Sequence, residues 1–190
     1  MKKELIIIAG PNGSGKSTLA EMLLAEKHFL PFVNADTIAK GISGSSERTD
    51  ISAGRMMIAR INSALADNES IAFETTLSGR TWVRLIRQAL DKGYQVTLGF
   101  IAVSSVEEAI SRVERRVLEG GHSIPSEVIL RRYPRSLSMF FNVYRDLVSQ
   151  WFFFDNTGNN SNLVAYRSNG HEIVLNAELY AVYQRQISGN

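Results

Sequence analysis

The sequence predicts an α/β fold, a five-stranded parallel sheet with helices on both faces, a helical lid and a C-terminal β-hairpin. Three observations carry that expectation. Short apolar runs alternate with helical stretches as far as Asp155. A glycine-rich loop, Gly10 to Gly15, joins the first apolar run to the first helix. Late in the chain, Ser168-Asn169-Gly170-His171 separates two further runs with an Asn-Gly hairpin signal.

The expected parallel strands are Leu5 to Ala9, Phe32 to Asn34, Ser70 to Glu74, Gln95 to Val103 and Trp151 to Phe154. Between them, Ser17 to Glu26 follows the glycine-rich loop as a helix. Ala53 to Asp67 places Met57, Ile58, Ile61 and Leu65 on one helical face, and Thr81 to Lys92 does the same with Trp82, Leu85, Ile86, Ala89 and Leu90. Asp67-Asn68 and Gly93 read as C-terminal stops. Leu163 to Arg167 and Glu172 to Leu175 form the hairpin, and Ala177 to Ile187 a last helix, so the terminal addition spans 163–187. With 190 residues, 44% hydrophobic, and no repeat or low-complexity linker, one domain over 1–190 is expected.

Composition excludes several classes. No cysteine is present, so disulfide scaffolds, thiolate nucleophiles and zinc ribbons are ruled out. The run from Leu5 is too short for a signal sequence, and nothing approaches the roughly 18 apolar residues of a membrane helix, so a cytoplasmic protein with no membrane partner is expected. The net charge of +2 argues against a nucleic-acid tail. Charge is unevenly placed, however: all six lysines lie at or before Lys92, whereas six of fifteen arginines fall between Arg112 and Arg135. That segment should meet an anion.

Gly10-Pro11-Asn12-Gly13-Ser14-Gly15-Lys16-Ser17 fits the phosphate-loop pattern G-x-x-x-x-G-K-[ST], between strand and helix as its chemistry requires. Its inward N–H groups and the following helix dipole would cradle the phosphates of ATP, with Thr18 just inside the helix. Lys16 would reach the β/γ-phosphates and Ser17 would ligate Mg²⁺. No guanine box appears, and the Walker-B-like run Trp151 to Asp155 has no following glutamate, which disfavours ATP hydrolysis as the main task.

In a parallel sheet, residues that end strands sit beside the ligand. Asn34-Ala35-Asp36 and Glu74-Thr75-Thr76 end the second and third strands. Asp36 is the candidate base for a substrate hydroxyl, or alternatively the N-cap of a turn at Thr37 to Lys40. Glu74, among Ile71, Ala72 and Phe73, needs a partner if buried, either substrate or an arginine. Past the fourth strand, a helix with Val106, Ala109, Ile110, Val113 and Val117 inward leaves Arg112, Arg115, Arg116 and Glu119 on the other face. Gly120 to Pro125, with His122, turns into a second arm carrying Arg131, Arg132, Tyr133 and Arg135, giving a lid over about 112–135 that could deliver arginine to a moving phosphoryl group. Asn156 after the fifth strand should lie near the nucleotide base.

In this order the phosphate loop, Asn34-Ala35-Asp36, Phe73-Glu74-Thr75-Thr76, Glu114-Arg115 and Gly120-Gly121-His122-Ser123-Ile124-Pro125 resemble the zeta-toxin-like family of P-loop kinases over roughly Leu5 to Gly158. The resemblance extends to a compact branch known as predicted ATPases or kinases. It implies a P-loop NTPase fold like that of nucleoside-monophosphate kinases, with ATP and Mg²⁺ as cofactors. It also implies phosphoryl transfer to a hydroxyl of a small molecule such as UDP-N-acetylglucosamine. By resemblance Asp36 is the base, Lys16 the loop lysine, Glu74 and Thr76 bind acceptor, and Arg115 clamps phosphate. Two positions depart from the pattern. Ser78 stands where the family has an arginine, the first arginine being Arg80; and a second lid arginine falls near His122, so its work passes to Arg131 or Arg132. Arg80, His122 and Arg131 are therefore candidate substrate contacts, and Arg112 and Arg116 candidate ATP contacts. The alternative function is a nucleotide-dependent binding module, or a toxin component gated by an antitoxin protein, with little turnover.

Overall fold

In β1 (Glu4–Ala9) alternate side chains enter opposite layers. Leu5, Ile7 and Ala9 join the larger apolar cluster, and Ile6 and Ile8 the smaller one. An unbroken apolar run is stable only in a strand covered on both faces. The computed structural model describes residues 2–25, 30–42, 47–121, 123–158 and 160–188. Its strands lie in the order β2 (Phe32–Val33), β3 (Ile71–Thr75), β1, β4 (Gln95–Ala102), β5 (Gln150–Asp155), β6 (Asn162–Ser168) and β7 (His171–Val174). The first five are parallel. β6 pairs antiparallel with β5, and β7 with β6, so the predicted hairpin extends the five-stranded parallel sheet to seven strands. Pairing there supplies partners for the edge that β5 would otherwise leave open.

The strand order reverses at β1: the chain first passes to the edge at β2, returns to β3 beside β1, then crosses to β4 on the other side. A crevice opens beyond the carboxyl end of β1, the usual place for a ligand in such sheets. α1 (Lys16–Leu24) starts there and covers the smaller cluster through Leu19 and Ala20. The larger cluster takes the inner faces of α3 (Glu47–Ala66), α4 (Val83–Asp91), α5 (Val106–Leu118) and α6 (Ser126–Met139). α3 begins before the expected Ala53 and ends as foreseen, with Asn68 left-handed at φ 60° and Glu69 N–H donating to the Ala64 carbonyl at 2.8 Å. Gly93 ends α4 in the same manner.

The second lid arm is longer than its sequence signal. α6 runs on through a π-helical turn, Phe140–Tyr144, into α7 (Arg145–Leu147). The wider turn lets Phe140, Phe141 and Tyr144 all face the core, where Phe140 packs on Phe100, Trp151 and Phe153. Both arms are rooted in the core through Ala109 and Val113 and through Ile129, Tyr133 and Leu137. α8 (Ala177–Ser188) closes the fold over β4 and β5: the Tyr183 hydroxyl donates to Asp155, and Gln186 Nε2 donates to the Ser104 carbonyl at 2.8 Å. Among the described residues no helix is long and apolar enough to cross a membrane.

Candidate active site

The loop from Gly10 to Lys16 wraps the carboxyl end of β1. Gly13 and Gly15 have φ of 77° and 95°, and a Cβ at either would strike protein: the Ala109 carbonyl of α5 for Gly13, the Asn156 amide for Gly15. The glycines therefore let the loop sit down on its own scaffold, a role beyond approach to phosphate. Pro11 and Asn12 are buried in the loop. Ser14 Oγ is buried without a hydrogen-bond partner, which leaves its hydroxyl able to donate to a ligand oxygen; Asn12 Oδ1, an acceptor, is buried and unpartnered too and calls for a donor. Ser17 and Thr18 are exposed on the first turn of α1. Magnesium takes oxygen donors and keeps several waters, so the Ser17 hydroxyl with nucleotide phosphates is a sufficient set.

Lys16 is buried; its Nζ donates to the Pro11 carbonyl at 3.0 Å and lies 3.8 Å from Glu74 Oε1. Burial pushes its proton affinity down, and the negative charges of Glu74 and Asp36 partly restore it. The same burial raises the Glu74 carboxyl, opposed by Lys16. Asn34 Nδ2 donates to Glu74 Oε2 at 2.9 Å, while Asn34 Oδ1 accepts from the Asp36 N–H at 2.8 Å. Asn34, and not Asp36, is thus the N-cap of α2 (Ala35–Gly41). That leaves the exposed Asp36 carboxylate free of capping duty. The side chain doing both jobs was missed from sequence, although an Asn just before a polar helix start is a known cap signal.

These groups meet in one cavity of about 700 Å³. Lys16, Asn34, Asp36, Glu74 and Thr76 line its floor; Ala53 and Met57 of α3 with Trp82 form an apolar wall; Arg131 and Arg132 look in from α6. The loop that follows β3 is shaped by contacts no motif announces. Thr75 Oγ1 accepts from the Leu77 N–H at 3.1 Å and Trp82 Nε1 at 2.9 Å, holding Leu77 left-handed at φ 55°. Ser136 Oγ of α6 donates to the Thr76 carbonyl at 2.5 Å. Arg80 is not brought here: the turn at Leu77 carries the chain away, and Arg80 faces outward beside α4.

The lid arginines divide by position. Arg116 is close enough to Lys16 and Glu74 to affect both, and Arg132 to affect Lys16. Arg115, the clamp expected by resemblance, is on the exposed side of α5, outside the cavity lining. One residue along a helix turns a side chain by about 100°, a distinction that an aligned motif does not resolve. Arg112 pairs with Glu108 at 2.7 Å and donates to the carbonyls of Asn156 at 2.6 Å and Gly158 at 3.0 Å. Asn156 Nδ2 in turn donates to the Ser14 carbonyl at 2.9 Å. Asn156 therefore ties the lid helix to the phosphate loop. Asp155 is occupied by Tyr183 and by Thr157 Oγ1 at 2.6 Å, so the Walker-B-like strand ends in a structural carboxylate. His122 lies outside the described residues.

Comparison with known proteins finds a family and a shared fold. An uncharacterized protein of Haemophilus influenzae (strain ATCC 51907 / DSM 11121 / KW20 / Rd) is 33% identical over 134 residues, 70% of this chain and 94% of that protein. Solved structures with the same fold include the AvrRxo1-ORF1:-ORF2 complex with ATP. The match has a TM-score of 0.73 at 22% identity, covering 95% of this chain and 63% of that one. The PezAT chromosomal toxin-antitoxin system of Streptococcus pneumoniae matches with TM-score 0.64 at 14% identity, covering 98% and 86%. The chain thus spans less than two thirds of the AvrRxo1 chain it matches. The zeta toxin family pattern matches residues 1–175, nearly the whole chain. With its phosphate loop, strand-end carboxylates and arginine-bearing lid in one crevice, the chain belongs to the zeta toxin family.

Proposed function

We propose that this family member is an ATP-dependent phosphotransferase that moves the γ-phosphoryl group to a hydroxyl of a small molecule bound between α2, α3 and α6. The observation that carries the reading is the single cavity in which Lys16, Asp36, Glu74 and Thr76 converge beneath Arg131 and Arg132. Lys16 and the loop N–H groups hold the triphosphate, and Ser17 with Mg²⁺ helps neutralise its charge. Glu74 and Thr76 orient the acceptor. As the hydroxyl oxygen bonds to the γ-phosphorus and the bond to the β-bridging oxygen breaks, the hydroxyl proton passes to Asp36. Arg131 and Arg132, which line the cavity, are the arginines best placed to meet developing charge. Ser78 faces the Thr76 hydroxyl at 3.2 Å, so the acceptor loop offers no guanidinium, and a diphosphate-linked sugar is not part of this proposal.

Mass spectrometry on protein incubated with ATP, Mg²⁺ and a panel of sugars, nucleosides and alcohols tests it. One acceptor should gain a phosphate. Asp36→Asn should lose about 10²–10⁴ in kcat with ATP affinity kept, whereas Lys16→Ala should lose ATP binding as well. Wild-type turnover by Asp36→Asn would remove the base assignment. A protein partner that covers the cleft is the second reading. It is favoured by the complexes among the structural neighbours, a toxin-antitoxin system in the case of PezAT. It predicts ATP-dependent capture of that partner with no acceptor turned over.

A further inference from the structure

The misplaced Arg80 leads to a second feature. It lies in the turn entering α4, beside Arg84 and Arg87 of the helix, and all three are exposed with no ion-pair partner among the described residues. Next to them α3 and α4 enclose a groove of about 370 Å³. Ile58, Leu85 and Trp82 are its apolar lining; Asn62, Gln88 and Arg84 are its polar lining. Arg84 and Gln88 also border a shallower depression lined by Arg80, Arg87 and Asp91, so Arg84 joins the groove to a rim that carries two further guanidinium groups and one carboxylate, with positive charge in excess.

Trp82 belongs to both the groove and the catalytic cavity. It is a partition: only 8% exposed, with its ring 4.6 Å from that of Phe73 and its Nε1–H bonded to Thr75 Oγ1. Thr75 sits between Glu74 and Thr76. A ligand resting on the outer side of the indole is therefore one residue removed from the acceptor loop.

We propose that the α3–α4 groove is a second ligand site, for an organic phosphate no larger than a mononucleotide, separated from the active site by Trp82 and sensed there through the Trp82–Thr75 hydrogen bond. Three clustered guanidinium groups suit a phosphate dianion better than a single carboxylate, since arginine pairs with phosphate through parallel N–H bonds. The amides of Asn62 and Gln88 each offer a donor and an acceptor to the heteroatoms of the organic part, and Ile58 with Leu85 offers it an apolar seat. The volume lies near the small end of the range for ligand pockets, roughly 300–1,000 Å³. Binding at this site goes beyond the phosphotransferase reading and does not depend on it, because the indole responds whether or not an acceptor turns over.

The chain has two tryptophans, and Trp151 is fully buried in the core, so nitrogen-15 correlation spectra contain two indole signals. Comparison with Trp82→Phe identifies the one from Trp82. Titration of the full chain with UMP, in the presence of saturating ATP, should move that signal and the Thr75 and Thr76 amides saturably. Inorganic phosphate should bind more weakly than UMP. Arg84→Glu should weaken UMP by roughly tenfold or more, with ATP affinity unchanged. Arg87→Glu, at the rim, should weaken it by about threefold, and it serves as the test if Arg84→Glu disturbs folding. Failure of UMP to move the indole would overturn the proposal. So would a shift that survives both charge reversals, which places the phosphate in the catalytic cavity, or equal affinity for inorganic phosphate, which removes recognition of the organic part.

Discussion

The two walls of the cleft are built on different principles. The phosphate wall, Gly10 to Ser17, is a contiguous stretch of chain whose shape follows from its glycines and from the strand and helix on either side. The acceptor wall gathers Asn34, Glu74, Thr76, Trp82, Arg131 and Arg132 from four segments and holds them with side-chain hydrogen bonds between elements. A site written in the backbone can be read from a short pattern. A site written in long-range contacts can vary its ligand while the fold stays the same.

The largest effect on this comparison should come from Gly13→Ala. A left-handed φ and a Cβ driven into the Ala109 carbonyl should cost about 3 kcal/mol in stability and loosen ATP binding. Chemical denaturation and nucleotide titration check both, and an unchanged midpoint would show that α5 yields at no cost. Asn156→Ala comes next. Leaving the Ser14 carbonyl without its partner should weaken ATP by roughly tenfold while acceptor KM stays put; a change in acceptor KM instead would mean that the two walls are not separable there. Ser136→Ala is the mirror experiment. Losing the bond to the Thr76 carbonyl should raise acceptor KM by about fivefold at unchanged ATP affinity.

The smallest effect is on pH dependence. Glu74 supports the protonated state of Lys16, whose proton affinity burial has already lowered. In Glu74→Gln that support is gone, so the alkaline loss of ATP binding should move to lower pH. Stability carries the opposite partner's sign. The folded chain holds the Glu74 proton to higher pH than the unfolded chain, so stability falls as pH rises out of the ordinary carboxylate range. Thermal melts of Glu74→Gln across that interval should lose this component, and an unaltered slope would mean that Glu74 ionises freely in the folded state.

Much of this molecule was determined by the sequence itself. The alternation of Leu5, Ile7 and Ala9 with Ile6 and Ile8 demands a strand covered on both faces. The loop that follows carries the full phosphate-loop pattern between strand and helix, and Asn169-Gly170 suits a tight hairpin turn. Each is a local preference, set by sterics within a few residues. Tertiary structure decided the rest. Whether the hairpin stood apart or joined the sheet depended on β5 being held against β4 with its other edge open. Asp155 became structural because Tyr183 reaches it from α8. Arg115 lies on the exposed side of α5 because the apolar stripe of that helix fixes its rotation on the core. Arg80 was turned away from the cavity by a left-handed Leu77 that Thr75 and Trp82 hold in place. Rotation about a helix axis and the exit direction of a turn are properties of packing, and no short stretch of chain contains them.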